Sequence, residues 1–250
     1  MSDWLSKLFG RNRPQSPADQ PASPSGAPTP TAALFAAIGA HDTDAAKQLF
    51  AAHPDQVGAF IPFGGGTYLH YAASSGAEAI VAHLLDLGLD VNVRDREGRT
   101  ALCSAASQGC VDVATLLLDR GAAMDVSESI RNPMFACISG YRGQRDEPRE
   151  RFLTVAELLI ARGVDLTACY IQQSMVDMDA TAFAIEFGRT DIAEAILRAL
   201  YGDDKRLTEG ARAEACEVAL GNAYSRERFR KWRYPSKRAA LLPPPGEFWS

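Results

Sequence analysis

Apolar residues recur along most of this chain in short bursts of helical spacing, broken by glycines and by polar stretches such as Asp90–Gly98. From Thr67 the pattern predicts two brief helices. The first is alanine-rich, with Leu69, Ala72 and Ala73, and ends at Gly76; the second is leucine-rich, with Leu84 and Leu85, and ends at Gly88. Each glycine stands where a helix end calls for a left-handed residue. Thr67, at the head of the first helix, is placed to cap its free N–H groups. The whole pattern then returns. Thr67 aligns with Thr100, Leu69 with Leu102, Ala72 and Ala73 with Ala105 and Ala106, Gly76 with Gly109, Leu84 and Leu85 with Leu117 and Leu118, and Gly88 with Gly121, all at an offset of 33. One matched pair would mean little; this many at one offset identify a repeat.

The repeated string, T-x-L-H-x-A-A-x-x-G followed by L-L-x-x-G-x-D-V-N, resembles the ankyrin repeat, here as TYLHYAASSG and LLDLGLDVN. The resemblance implies an all-α solenoid of about five helix-turn-helix repeats with β-hairpin-like fingers between them. NPMFACISGY (132–141) with VAELLIARGVDL (155–166) fits a fourth copy, with RGQRDEPRER (142–151) inserted between its helices. DATAFAIEFGRTDIAEAIL (179–197) fits a fifth, and AALFAAIGAHDTDAAKQLF (32–50) reads as a degenerate first repeat or cap. End repeats depart from the pattern because one side faces water. The expected organisation is a disordered segment over 1–31, the ankyrin-repeat domain over 32–201, and a capping helix with a basic-aromatic tail over 202–250.

The run IPFGGGT, residues 61–67, tests the first chemical alternative. A phosphate-cradling loop would need Gly-Lys-Ser/Thr at the helix start, and no lysine follows. The glycines fall instead at a finger-to-helix junction, where they are expected to make the finger flexible. Phe60, Ile61 and Phe63 are apolar where repeats are commonly polar; they either pack under the first repeat or form an exposed anchor.

Composition narrows the class without changing it. The chain has 250 residues, 46% of them hydrophobic, and a net charge of −5, which argues against a nucleic-acid partner for the protein as a whole. Cysteines at 103, 110, 137, 169 and 216 form no C-x-x-C pair, so reduced thiols in a cytoplasmic setting are expected. No apolar run of about 18 residues occurs, and the N-terminus lacks the pattern of a secretory signal. Residues 14–31, rich in Pro, Ser and Ala, read as a linker. Ahead of it, Trp4, Leu5, Leu8 and Phe9 lie beside Lys7, Arg11 and Arg13. That gives residues 2–13 the makings of a membrane-surface contact, and with it the alternative of a peripheral membrane-associated or secreted effector-type adaptor. The tail SRERFRKWRYPSKR (225–238) admits three readings: packing on the last repeat, an anionic partner surface, or nucleic acid.

Catalytic and metal chemistry finds no footing. His41, His53, His70 and His83 form no metal-type spacing, and no nucleophile elbow occurs. Cys103 stands at the position of the motif histidine and reads as a packed residue. No cofactor is expected and the chain is not expected to be an enzyme. The resemblance implies a protein-protein interaction module, a scaffold, adaptor or inhibitor acting as a monomer, that holds a protein partner through its concave face and fingers. Carried over onto this chain, the contact positions are Arg94, Arg96, Glu97 and Arg99 on one finger and Ser74, Ser75, Ser107 and Gln108 on the first helices. Arg131, Glu186 and Phe187 are the comparable places in the degenerate copies.

Overall fold

The computed structural model describes residues 29–62, 65–124, 132–140, 149–166 and, from 179 to 216, all but residues 203, 207 and 214. The N-terminal stretch 2–13, the linker up to residue 28, Phe63, Arg131, Cys169, most of the expected insertion and the tail 225–238 lie outside the described residues. Those up to Asp165 form one compact unit and those from Leu166 on a second.

The first unit is a stack of helix pairs. They are α1 (Pro30–Gly39) with α2 (Thr43–Ala52), α3 (Tyr68–Ser75) with α4 (Glu78–Asp86), α5 (Ala101–Gln108) with α6 (Val111–Asp119), and α7 (Pro133–Gly140) with α8 (Arg149–Ala161). The first helices of the pairs pack side by side in chain order, and so do the second helices. Helices of eight or nine residues are too short to persist alone in water, so packing holds them. The packed face is the one the periodicity marks. Leu69, Ala72 and Ala73 of α3, Leu102, Ala105 and Ala106 of α5, Ile80, Val81 and Leu84 of α4, and Val113, Ala114 and Leu117 of α6 are each at most 1% exposed.

Small side chains permit close approach, and it is closest at Gly140. A Cβ there would lie 2.6 Å from the carbonyl carbon of Ser107 and 2.8 Å from its Cα, and closer still to its oxygen. The degenerate first copy joins the stack through rings instead. Phe35 meets Tyr71 edge-on at 4.7 Å between centroids, and Phe50 meets Tyr68 edge-on at 5.7 Å. On the second helices, Arg120 pairs with Asp86 and Arg162 with Asp119, each at 2.8 Å, so successive pairs carry matching rungs.

Two details differ from the sequence expectation. Helix α8 begins at Arg149, so Arg149, Glu150 and Arg151 belong to its first turn and not to an insertion between the helices. The fingers are folded by turns: among the described residues the β-pairing is an isolated bridge between Phe60 and Thr67.

The second unit holds the pair α9 (Ala180–Glu186) and α10 (Thr190–Tyr201). Between them Arg189, fully buried, bonds Asp191 through Nε at 3.0 Å and Nη2 at 2.9 Å. Beyond α10, the described residues between 205 and 216 are helical, within the stretch where the sequence predicts a C-terminal helix. Arg212 ties it to Glu194 of α10 at 2.7 Å.

Candidate interaction surface

The finger over residues 90–99 is built around one buried carboxylate. Asp95 is 8% exposed. Its Oδ1 accepts the backbone N–H groups of Glu97 (2.9 Å) and Arg99 (2.8 Å), and its Oδ2 accepts Nε–H of Arg99 (2.9 Å). The backbone closes the same turn, with the Asp95 N–H on the Arg99 carbonyl at 2.8 Å and the Gly98 N–H on the Asp95 carbonyl at 2.9 Å. A carboxylate that accepts several N–H groups offsets its desolvation and fixes the chain around it.

The turn is tied back to the junction before α3 at two points. The Arg96 N–H donates to the Gly65 carbonyl at 2.9 Å. His70 makes the second tie. Its Nδ1 accepts the Thr67 N–H at 3.2 Å, which assigns the proton to Nε2, and Nε2 donates to the Arg99 carbonyl at 3.0 Å. Burial pushes the His70 pKa down from its ordinary value, in keeping with a neutral ring.

These ties explain the glycine run better than looseness does. Gly65 adopts φ +73, and a Cβ there would come within 3.3 Å of the Arg96 Cβ; a Cβ at Gly66 would come within 2.9 Å of the His70 Cβ. Glycine is needed at both because the next finger and the histidine lie against the backbone. The expectation of a flexible finger at this junction is therefore corrected for residues 65 and 66.

The four finger positions separate by role. Arg94 and Arg96 flank buried Asp95 and are both exposed, so they share the outward face of the segment. Arg94 Nη1 donates to the Gly98 carbonyl at 3.1 Å. Arg99 is ion-paired with Asp95 at 2.9 Å and with Glu97 at 3.2 Å, so its guanidinium serves the turn and Glu97 spends its charge beside it. Phe60 is 49% exposed while its neighbour Ile61 is buried at 6%, so the apolar stretch divides between the two alternatives left by the sequence.

The helix positions lie at the other end of α3 and α5. A helix of eight residues spans about 12 Å, so the serines form a patch separate from the finger. The Ser74 hydroxyl donates to the Tyr71 carbonyl and that of Ser107 to the Ser104 carbonyl, both at 2.9 Å. The Ser75 carbonyl bonds His41 Nε2 at 2.8 Å. Ser107 also meets the close approach of Gly140, so it is partly covered, whereas Gln108 is exposed. Phe187 and Glu186 belong to the second unit, where the Phe187 ring stacks on Phe183 at 4.3 Å.

Sequence reasoning missed two organisers. Asp95, the centre of the turn, was not singled out. Asn92 was not singled out, yet its Oδ1 accepts the Ala123 N–H at 2.7 Å in the following copy. The available signal was the short polar string DVNVRDREG, in which an Asp or Asn recurs every two or three residues.

Among the described residues the candidate nucleophile is not activated. Cys103 is buried, with the Thr100 hydroxyl at 3.7 Å, and burial pushes its thiol pKa up, away from a reactive thiolate. Among the described residues no group of His, Cys, Asp and Glu could hold a metal ion, and no helix is long and apolar enough to cross a membrane.

Comparison with known proteins agrees with the stack of helix pairs. A family model of ankyrin repeats (3 copies) matches residues 33–129 and 69–168, together more than half of the 250 residues. The chain belongs to the ankyrin-repeat family, and its repeats make it a protein-protein interaction module. It is similar to serine/threonine-protein kinase 12 of Arabidopsis thaliana, 44% identical over 72 residues, which is 29% of this chain and 16% of that protein. It is similar to ankyrin repeat and SOCS box protein 6 of Homo sapiens, 33% identical over 118 residues, 42% of this chain and 28% of that one. Protein phosphatase 1 regulatory subunit 12A of Mus musculus is 34% identical over 71 residues, 28% of this chain and 7% of that protein. The matches thus span under a third of each of these relatives, and the kinase is matched over a repeat segment only.

Proposed function

We propose that the protein is a non-catalytic adaptor or inhibitor that holds a protein partner on the Arg94–Arg96 finger and on the ends of α3 and α5 around exposed Gln108. The observation that carries this reading is the finger itself: two outward arginines on a turn locked by Asp95, His70 and Gly65. Such a surface loses little freedom on binding, which favours affinity. Arginine is also a frequent interface anchor. The scattered cysteine spacing supports a reducing compartment, the cytoplasm, and a single chain is the binding unit.

The test is affinity capture from the native cell with the full chain, beside variants R94E/R96E and Gln108→Arg, read by mass spectrometry. A protein enriched with the wild type and lost with either variant supports the reading. Capture that neither variant disturbs places binding elsewhere and overturns the site assignment.

A further inference from the structure

The chemistry of the finger narrows what its partner must offer. Among the described residues, Arg99, Arg120, Arg162, Arg189 and Arg212 all face carboxylates of the fold. Arg94 and Arg96 do not: Arg94 meets the neutral Gly98 carbonyl, and the Arg96 stem lies along Gly65. In a chain of net charge −5, this turn therefore carries two outward guanidinium groups that the fold leaves unneutralised. They sit two residues apart on either side of Asp95, where the chain enters the turn, which puts their Cα atoms at most about 7 Å apart. Carboxylates on alternate residues of an extended peptide repeat at about that distance.

A third element lies alongside. Phe60, half exposed, is bridged to Thr67, and the Gly65 carbonyl two residues earlier accepts the Arg96 N–H. The aromatic and the arginine thus flank the same short segment, Gly65–Thr67. The net charge of −5 on the whole chain disfavours a long uniform polyanion such as nucleic acid and fits a short protein segment.

We propose that Arg94, Arg96 and Phe60 form a docking surface for an extended acidic segment of a partner protein, with Asp or Glu at alternate positions and an apolar side chain set against Phe60. This rests on the interaction-module reading above and goes further by naming the recognised chemistry. Arg99, Asp95 and His70 are positioning residues for that surface, since their polar atoms are engaged inside the turn and at its base.

The experiment is selection from a randomised peptide display library against the full chain. The selected peptides are then titrated by fluorescence anisotropy against wild type, R94Q/R96Q, Phe60→Ala and Gln108→Arg. Selected peptides should carry two acidic residues spaced i, i+2 with an apolar residue nearby. R94Q/R96Q should bind them about tenfold more weakly, the effect of losing two exposed charge pairs, and should lose most of the salt sensitivity shown by wild type. Circular dichroism melts should show R94Q/R96Q folded as wild type, because neither guanidinium pairs with a carboxylate of the fold. Phe60→Ala should weaken binding without changing the salt dependence. Selection without acidic bias, no selection at all, acidic peptides indifferent to R94Q/R96Q, or displacement by a single-stranded oligonucleotide would each overturn the proposal. Peptides lost only with Gln108→Arg would also overturn it, while leaving the interaction-module reading intact.

Discussion

His70 offers the sharpest test of how the finger is held. The ring is 6% exposed, accepts from the Thr67 N–H and donates to the Arg99 carbonyl. His70→Ala leaves the Thr67 N–H without that partner, while the Arg99 carbonyl keeps the Asp95 N–H. One unsatisfied buried donor at roughly 1–3 kcal/mol gives a loss of about 2 kcal/mol. For a chain of this size that lowers the midpoint of thermal unfolding by about 4–8 °C. The sign with pH also follows. Burial lowers the folded-state pKa below the ordinary value of about 6.5, so just below that pH the unfolded chain holds the extra proton. Stability from His70 is therefore fully present above about pH 6.5 and declines as pH falls toward the folded-state pKa, by at most about 1.4 kcal/mol per pH unit. Urea titrations at about pH 7.5 and 5.5, followed by circular dichroism, should show this decline in wild type and a smaller one in His70→Gln. Equal declines in the two proteins would refute the assigned role and tautomer of the ring.

Three further outcomes follow from the same geometry. Asp95→Ala strips the partner from two backbone N–H groups and from Arg99; it should cost about 2–3 kcal/mol in urea unfolding and speed amide exchange at residues 97 and 99. Gly140→Ala sets a methyl group against the Ser107 backbone and should cost about 3 kcal/mol, at the upper end for overpacking, whereas Gly163→Ala, with no atom nearby, should cost only the roughly 1 kcal/mol of its left-handed backbone. Arg120→Ala breaks an exposed rung to Asp86 and should change the thermal midpoint by less than about 3 °C, with the difference shrinking in high salt.

Features written into residue type could be read in advance; those made by approach from a distance could not. Gly76 and Gly109 end their helices at φ +74 and +67, as their positions in the repeat demand. The buried alanine and leucine faces follow the 3.6-residue period directly. Ser107, in contrast, reads as an open contact position, and only the arrival of Gly140 from the next copy partly covers it. Arg94, Arg96 and Arg99 look alike in the sequence. Which one pairs with Asp95 depends on the path of the loop around that carboxylate, and no composition rule encodes that path. Phe60 and Ile61 are likewise neighbours of similar character. The register of one backbone bridge sends Ile61 inside and leaves Phe60 in water. The start of α8 was hidden because RGQRDEPRER is polar throughout, and the first turn of a helix needs no apolar residue.

The polar ties between neighbouring copies have a consequence for how the chain is made. His41 to Ser75, His70 to Arg99, Asn92 to Gly121, Arg120 to Asp86 and Arg162 to Asp119 link residues between 29 and 43 positions apart. None of these ties waits for a distant part of the sequence. A copy leaving the ribosome finds its bonding groups on the copy just before it, already emerged. Assembly can then advance in the direction of translation, one increment at a time, and a pause in synthesis would strand only the newest helix pair.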